Sequence, residues 1–381
     1  MSRFVFRNPD EKDVLKVMKL YQLSVDDIWR DKIMLDYKAL KSAFETEKRN
    51  WLLIEDSGEI AGFAGFVVES EERLGKITRI FFGADYRDDA ELIEALFANL
   101  ISRNSDMLDI LYMSTKYVSF VNLEIALKQG FKLLGFFPVS PSLEKAEINA
   151  LAAYYYPGVL EKMRNPNLKT HPCAAAFLTS AFPALYSGKG SLSDNLQLSS
   201  LCSISDSESC YPEPVPELEM IEAPQLVQRK FQKLRELKLL NNNFYPFQRP
   251  NSLISDSNEK IRIFITLLRD FRFAAIIEEN LEEYFNPSEL YRKITRMLAA
   301  RNINYTEMIV DAADISAINY MIESGFVPMV CFPALKKHGT YRRDYFIMGH
   351  SFERFDYFPK NLSERYPEFQ SMYNVLEKSF K

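Results

Sequence analysis

Three carboxylates near the ends of two predicted strands are the residues best suited to proton transfer in this sequence. Glu278 and Glu279 stand at the end of one predicted strand, and Asp311 stands at the end of the next. If the two strands are neighbours, the carboxylates face one cleft and raise each other's pKa, which suits removal of a proton from an ammonium group. The alternative is a solvated acidic rim with no chemistry.

The four cysteines and three histidines do not form a metal-site pattern. They are scattered along the chain, and Cys202 and Cys210 lie in a serine-rich stretch that cannot preorganise ligands. His171 with Cys173 is the nearest approach to a ligand cluster. We therefore expect no metal cofactor.

The net charge of the chain indicates which kinds of partner it can bind. A formal net charge of -5 and a pI near 5.6 give no broad basic field, so nucleic-acid binding is disfavoured as the main activity. One local exception is the run from Lys336 to Asp344, which is basic and contains aromatics. It either grips a phosphate or an acidic partner, or forms a solvated hairpin tip with its turn at Gly339.

The sequence also bears on the compartment. Met1 to Asp10 lacks a basic and then apolar signal pattern, and no run approaches the ~20 apolar residues that cross a bilayer. We expect a cytoplasmic protein with no membrane contact.

The elements that position the carboxylates belong to a module that occurs twice. The segment from Leu53 to Glu59 recurs 200 positions later with five of seven residues identical. The Gly130-Phe131 pair recurs 195 positions later at Gly325-Phe326. We therefore predict two copies of one α/β module, with about five residues lost from the second copy, most easily from its hairpin.

The composition predicts the domain boundaries. Residues 1–165 form the first predicted domain, and 166–217 form a connecting segment that contains a Ser/Pro-rich flexible linker at 187–216. Residues 218–355 form the second domain, and 356–381 form a C-terminal tail.

The order of predicted elements is strand, two helices, hairpin, strand, helix, strand, helix ending in Gly-Phe, and a closing strand pair. With Asp85-Tyr86-Arg87 before the helix Asp89 to Arg103, this order resembles the GNAT acyl-CoA N-acyltransferases. The helix from Ser119 to Gly130, with its counterpart from Asp314 to Gly325, carries the rest of the resemblance. The implied fold class is α+β, with two tandem GNAT-like domains, each a mixed, mostly antiparallel central sheet flanked by helices.

The resemblance also implies a donor and a place for it. Two splayed central strands leave backbone groups for the pantetheine arm of acetyl-CoA or another acyl-CoA. In the first copy, Phe81 and Phe82 fall where they form either core or an acyl pocket. Tyr86 and Arg87 match the start of the turn that cradles the pyrophosphate, and Ser119 takes the place of an asparagine at a helix start.

Two features of the family pattern are missing. The glycines of the phosphate turn are replaced in the first copy by Asp88, Asp89 and Ala90, with Glu91 following. The second copy has the run from Glu278 to Glu283, which contains four glutamates, at this place. The tyrosine that would protonate the leaving thiolate is replaced by Ala126 and Met321, with Tyr320 one residue away from the second of these positions.

Three functions remain open from the sequence. The first is a GNAT-type transferase that moves an acyl group from acyl-CoA to an amine of a small molecule or a protein. The second is a catalytically inactive tandem scaffold whose clefts bind a protein partner. The third is a transferase that takes its group from an aminoacyl-tRNA, which the acidic balance disfavours.

Overall fold

The computed structural model describes residues 3–24, 31–115, 120–142, 145–165, 168–181, 197–198, 214–240, 245–282 and 285–352. The chain divides into two compact units, Met1–Leu133 with Ala150–Val159, and Leu134–Asn149 with Leu160–Lys381. Among the described residues, no helix is long and apolar enough to cross a membrane. The boundaries predicted at residues 165 and 217 stay a prediction.

The first half of the chain alternates short helices with strands. Its helices are α1 (Val14–Ser24), α2 (Lys32–Leu35), α3 (Tyr37–Thr46), α4 (Ala90–Arg103) and α5 (Phe120–Lys128). Its strands are β1 (Phe4–Arg7), β2 (Trp51–Asp56), β3 (Glu59–Glu69), β4 (Leu74–Phe82), β5 (Ile110–Thr115), β6 (Lys132–Ser142) and β7 (Lys145–Tyr155).

A mixed sheet forms the first unit, with strand order β1-β2-β3-β4-β5-β7. All neighbouring strands are antiparallel except β4 and β5, which are parallel. The helix α1 buries Val14, Val17 and Tyr21 at helical spacing, and this apolar stripe packs on a core that includes Trp51 and Phe63.

Between the halves, the described residues form β8 (Lys169–Thr170), α6 (Pro172–Ala181) and β9 (Gln197–Leu198). The second half then contains the helices α7 (Pro224–Glu236), α8 (Pro287–Ala299) and α9 (Ile315–Glu323). Its strands are β10 (Glu219–Ile221), β11 (Ser252–Ser255), β12 (Ile261–Leu268), β13 (Phe273–Leu281), β14 (Tyr305–Asp311), β15 (Val327–His338) and β16 (Tyr341–Ser351).

The second unit repeats the strand order of the first. Its strands follow the order β10-β11-β12-β13-β14-β16-β15, and again the only parallel pair among these is the central one, β13 with β14. The predicted α+β fold class, a mixed and mostly antiparallel sheet flanked by helices, is confirmed.

The ends of two helices confirm the Gly-Phe repeat. Gly130 and Gly325 have φ angles of 95° and 90°, a left-handed conformation that glycine adopts without steric cost. The next residue in each copy, Phe131 or Phe326, donates its N–H to a carbonyl five residues back in the helix. This bonding pattern closes the helix before the following strand.

The sequence suggested that the second copy is shortened in its hairpin. The structure places most of the shortening elsewhere. Arg73 and Arg272 precede the central strands with similar left-handed φ angles of 50° and 48°, and they are still 199 positions apart. The next strands begin at Ile110 and Tyr305, which are 195 apart. Most of the loss therefore follows the central strand. The helix N-caps Asp89 and Asn286 are 197 positions apart, so two residues are lost in the turn before the helix and two more between the caps and the next strands.

A buried ion pair fixes the chain just after Leu160 within the second unit. The Arg164 guanidinium forms a two-pronged ion pair with Asp344 of β16, with Nε at 2.8 Å from Oδ1. Asp344 also accepts the backbone N–H of Ala334 at 2.9 Å, at a bulge of β15. Because both charged side chains are almost fully buried, each depends on the other for compensation.

Candidate active site

The parallel central strands of the second unit separate part of the way along. Their Cα partners run from Phe273 with Tyr305 to Ile276 with Met308 and then stop. However, β13 continues to Leu281 and β14 to Asp311. Past this point the two strands no longer pair with each other, and their facing edges open into a gap.

The first unit opens in the same way. There the parallel pairing ends at Ile77 with Met113, while β4 continues to Phe82 and β5 to Thr115. The splayed central strands implied by the family resemblance are thus present in both units.

A β-bulge accounts for both gaps. In β4 the register against β3 skips Thr78, and in β13 the register against β12 skips Ile277. Each bulge lies one residue beyond the last parallel pair. An extra residue bends its strand and increases the local twist, so the central strand leaves its parallel neighbour at this position.

A cleft of about 630 Å³ occupies the gap in the second unit. Its volume is in the range of small-molecule sites. It is lined by Glu279, Tyr291, Met308, Val310, Asp311, Ala313, Asp314, Ala317, Lys336, His338, Arg343 and Tyr345.

The two predicted glutamates project to opposite faces of the sheet. Glu278 pairs with Phe264, whose ring packs on Phe231 of α7, whereas Glu279 projects to the opposite face of the sheet. Glu278 is buried and is not among the residues that line the cleft. The expectation that Glu278 and Glu279 face the cleft together is therefore not met, because consecutive strand residues point to opposite faces.

Glu279 lies in the cleft beside Tyr291 of α8. The Tyr291 hydroxyl donates to the Glu279 carboxylate, with oxygen distances of 3.2 and 3.1 Å. Burial raises the pKa of Glu279 to about 7, and the nearby Asp314 carboxylate adds to the rise, while the Tyr291 hydrogen bond opposes it. A carboxyl with this pKa can take up and release a proton at neutral pH.

Asp311 lines the same cleft but is held in place by other groups. Its carboxylate accepts the backbone N–H of Ala313 at 2.9 Å and the Arg343 guanidinium at 2.9 Å. The sequence suggested that Asp311 raises the pKa of Glu279. In the structure, the carboxylate that raises this pKa is Asp314. Asp311 therefore anchors the rim of the cleft.

The helix that follows the gap uses its first N–H groups internally. Pro287 opens α8 and has no N–H, and the Asn286 side chain accepts the N–H groups of Ser288 and Glu289 at 3.0 and 3.3 Å. In the first unit, Asp89 caps α4 by accepting the N–H of Leu92 at 3.0 Å. These caps occupy donors that a phosphate would otherwise use.

The predicted cofactor residues of the first unit take structural positions. Phe81 stacks on Phe63 with ring centroids 5.1 Å apart, and Phe82 is likewise buried, so both are core residues rather than an acyl pocket. The Tyr86 hydroxyl donates to Asp56 at 3.3 Å. Arg87 donates to the carbonyl of Leu23 at 2.8 Å, and Ser119 lies outside the described residues.

Ala126 and Met321, at the positions of the family's acid tyrosine, are fully buried. Two other tyrosines line the cleft instead, Tyr291 and Tyr345, and sequence reasoning missed both. Tyr345 lies at the cleft because it pairs with Asp311. The sequence does not show the register of β14 against β16, so this pairing could not be predicted from it.

Part of the chain is similar to solved structures of GNAT acetyltransferases. A GNAT-family acetyltransferase from Streptococcus pneumoniae is 20% identical over 40% of this chain and 99% of its own, with a TM-score of 0.35. The ribosomal-protein-S18-alanine N-acetyltransferase from Escherichia coli is 16% identical over 40% and 93%, with a TM-score of 0.33. A phosphinothricin acetyltransferase from Sinorhizobium meliloti, in complex with AcCoA, is 13% identical over 41% and 90%, with a TM-score of 0.36.

No protein-family model matches the chain, and no curated protein matches it. The solved structures each cover a length close to that of one half of the chain.

Proposed function

We propose that the second unit transfers an acyl group, such as acetyl, from acyl-CoA to an amine, with Glu279 as the general base. The observation that carries the proposal is a base with a pKa of about 7 at the gap between splayed parallel strands. The gap supplies main-chain groups for the donor, and the cleft supplies the base.

The chemical step needs little beyond these groups. Glu279 takes a proton from the ammonium form of the acceptor, and the neutral amine attacks the thioester carbonyl carbon. A carbon–nitrogen bond forms, the carbon–sulfur bond breaks, and the electron pair leaves on sulfur. The nitrogen loses its second proton as it becomes an amide, and this proton passes to the departing sulfur or to solvent. A thiol has a pKa of roughly 8.5, so its thiolate departs without a dedicated acid at neutral to alkaline pH.

The donor would be held mainly by its pantetheine arm. Its amides would pair with main-chain groups of β13 and β14 beyond Ile276 and Met308, where the two strands no longer pair with each other. The first N–H groups of α8 are already bound by Asn286, so the pyrophosphate contributes less to affinity than a free helix N-terminus would give. The solved phosphinothricin acetyltransferase contains AcCoA, which supports an acyl-CoA donor.

The proposal also names the class of acceptor and the compartment, and it requires no metal ion. The acceptor is an amine of a small molecule or of a protein, and the setting is the cytoplasm. Among the described residues, no group of three or more His, Cys, Asp or Glu side chains is arranged to hold a metal ion.

Replacing Glu279 tests the proposed base. In an assay of thiol release from acetyl-CoA, we expect Glu279→Gln to lower kcat/KM by about 10²- to 10⁴-fold, the usual contribution of a general base. The matched control is Glu282→Gln, which removes a carboxylate three residues further on that is paired with Arg262. In the wild type, kcat/KM rises with pH and reaches half its plateau near pH 7, because Glu279 must be ionised.

Equal loss in both variants, or none in Glu279→Gln, would show that Glu279 is not the base. Absence of turnover with every amine and acyl-CoA tested would reject the transferase.

The second candidate is an inactive binding protein. It is favoured by the buried Ala126 and Met321 at the acid positions and by the engaged N-terminus of α8. Stoichiometric capture of a partner protein by a chain that neither binds nor turns over acetyl-CoA would support it. Transfer from an aminoacyl-tRNA is a further alternative, which lack of tRNA retention at low salt would remove.

A further inference from the structure

We propose that the acceptor is a small amine that also carries a carboxylate, and that Lys336 and Arg343 recognise this carboxylate. The inference rests on the proposed function, because it names the acceptor class of the same cleft.

The cleft is lined from both faces of the sheet. Residues directly opposite each other in a ladder share a face. Phe264 faces α7, so the next residue of β12, Ile265, projects away from α7. Ile265 pairs with Ile276, and Ile276 pairs with Met308, so all three project to the same face. Met308 therefore lies on the α8 face, where Tyr291 contacts Glu279.

The basic residues of the hairpin lie on the other face. Asp311 is three positions after Met308 and therefore projects toward the α7 face. It pairs with Tyr345, and Arg343, two residues before Tyr345, pairs with Lys336. These side chains and the exposed His338 line the α7 side of the cleft.

This arrangement separates charge within one cavity. The carboxylate of Glu279 lies on the α8 side of the gap, and the ammonium and guanidinium groups of Lys336 and Arg343 lie on the α7 side. The Asp311 carboxylate also lies on the α7 side and accepts a hydrogen bond from Arg343 at 2.9 Å, so that side carries two cations and one carboxylate. A substrate ammonium is attracted to Glu279, while a carboxylate is repelled there and attracted to the hairpin. A molecule with both groups satisfies both ends.

The donor is expected on the face opposite to these cations. Ala317 of α9 and Tyr291 of α8 line the α8 side, and this side leads to the helix that follows the central strand. The donor is thus expected away from the cations of β15 and β16. The sequence motif from Lys336 to Asp344 thereby gains a role in acceptor selection.

The test compares two amines of similar basicity and equal chain length, 4-aminobutyrate and n-butylamine, with acetyl-CoA as donor. In the wild type we expect kcat/KM to be at least tenfold higher for 4-aminobutyrate. Lys336→Met is expected to reduce this ratio about tenfold, through KM for 4-aminobutyrate. Lys337→Met is the matched control, because Lys337 pairs with Arg342 and projects to the other face, so the ratio should not change.

Three results would overturn the inference. These are a wild-type ratio near one, an equal fall in Lys337→Met, and a Lys336→Met variant whose KM rises for acetyl-CoA instead of 4-aminobutyrate. The last result would mean that the cations hold a phosphate of the donor.

Binding of the two amines, measured by saturation-transfer NMR, separates this inference from the proposed function. If neither amine is turned over, turnover of the other amines decides whether the proposed function stands. Carboxylate recognition then stands only if 4-aminobutyrate binds, n-butylamine does not, and Lys336→Met loses the signal. It fails if the two amines bind alike or not at all.

Discussion

At the scale of single residues, the account depends on the unusual pKa of Glu279. Burial holds this pKa near 7, and the Tyr291 hydroxyl limits the rise by stabilising the charged form. The sequence could indicate a carboxylate at the end of β13. It could not choose between Glu278 and Glu279, because the bulge at Ile277 decides which of them projects into the cleft.

The pKa of Glu279 predicts a pH-dependent stability that does not require activity. The folded-state pKa of about 7 lies above the ordinary value of 4.5, so the contribution of this group is full below pH 4.5 and is lost as the pH rises through 7. We expect Glu279→Gln to be more stable than the wild type at pH 8, by about 1–3 kcal/mol. Urea denaturation followed by circular dichroism at pH 4.5 and pH 8 measures this difference.

At pH 4.5 the two proteins should have equal stability, since the wild-type carboxyl is then mostly neutral in the folded state. A stability difference that is the same at both pH values would contradict the raised pKa.

At the scale of elements, the hairpin of β15 and β16 is held by buried charge. Arg164 pairs with Asp344, which also accepts the N–H of Ala334 at the β15 bulge. The neighbouring Arg343 and Tyr345 project to the opposite face and line the cleft. The ion pair is therefore part of what positions the rim of the site.

Breaking this pair predicts a large loss of stability in the second unit. Arg164→Met leaves the Asp344 carboxylate buried without its main partner, which costs about 3–5 kcal/mol. The control is Arg269→Met, which breaks the exposed pair with Glu222 and costs less than about 1 kcal/mol. Urea denaturation followed by circular dichroism compares the two, and similar small losses in both variants would contradict the structural role of the buried pair.

Some elements could be predicted from local signals and others could not. The helix ends at Gly130 and Gly325 follow from the need for a left-handed residue. The core position of Phe81 and the role of Arg164 depend on contacts with residues far away in sequence, such as Phe63 and Asp344. No local pattern carries such information.

At the scale of the whole molecule, the two units share one strand order, which agrees with the repeat predicted from the sequence. Both units have splayed central strands, and both bury an apolar residue, Ala126 or Met321, where the resemblance expects a tyrosine. The sequence located the repeat but not the site of the shortening. The two matched segments give the total number of residues lost between them, but not the position at which they are lost. The strand bounds put most of that shortening between the central strand and the strand that follows it.

The most direct test of the central claim is calorimetric titration of the full chain with acetyl-CoA at pH 7.5. We predict one saturable site, lost in Ala317→Trp because the indole fills the cleft, and kept in Ser316→Trp, whose side chain starts from an exposed position on the same helix. No binding to the wild type at millimolar acetyl-CoA, or unchanged binding to Ala317→Trp, would contradict the assignment of the donor site to this cleft.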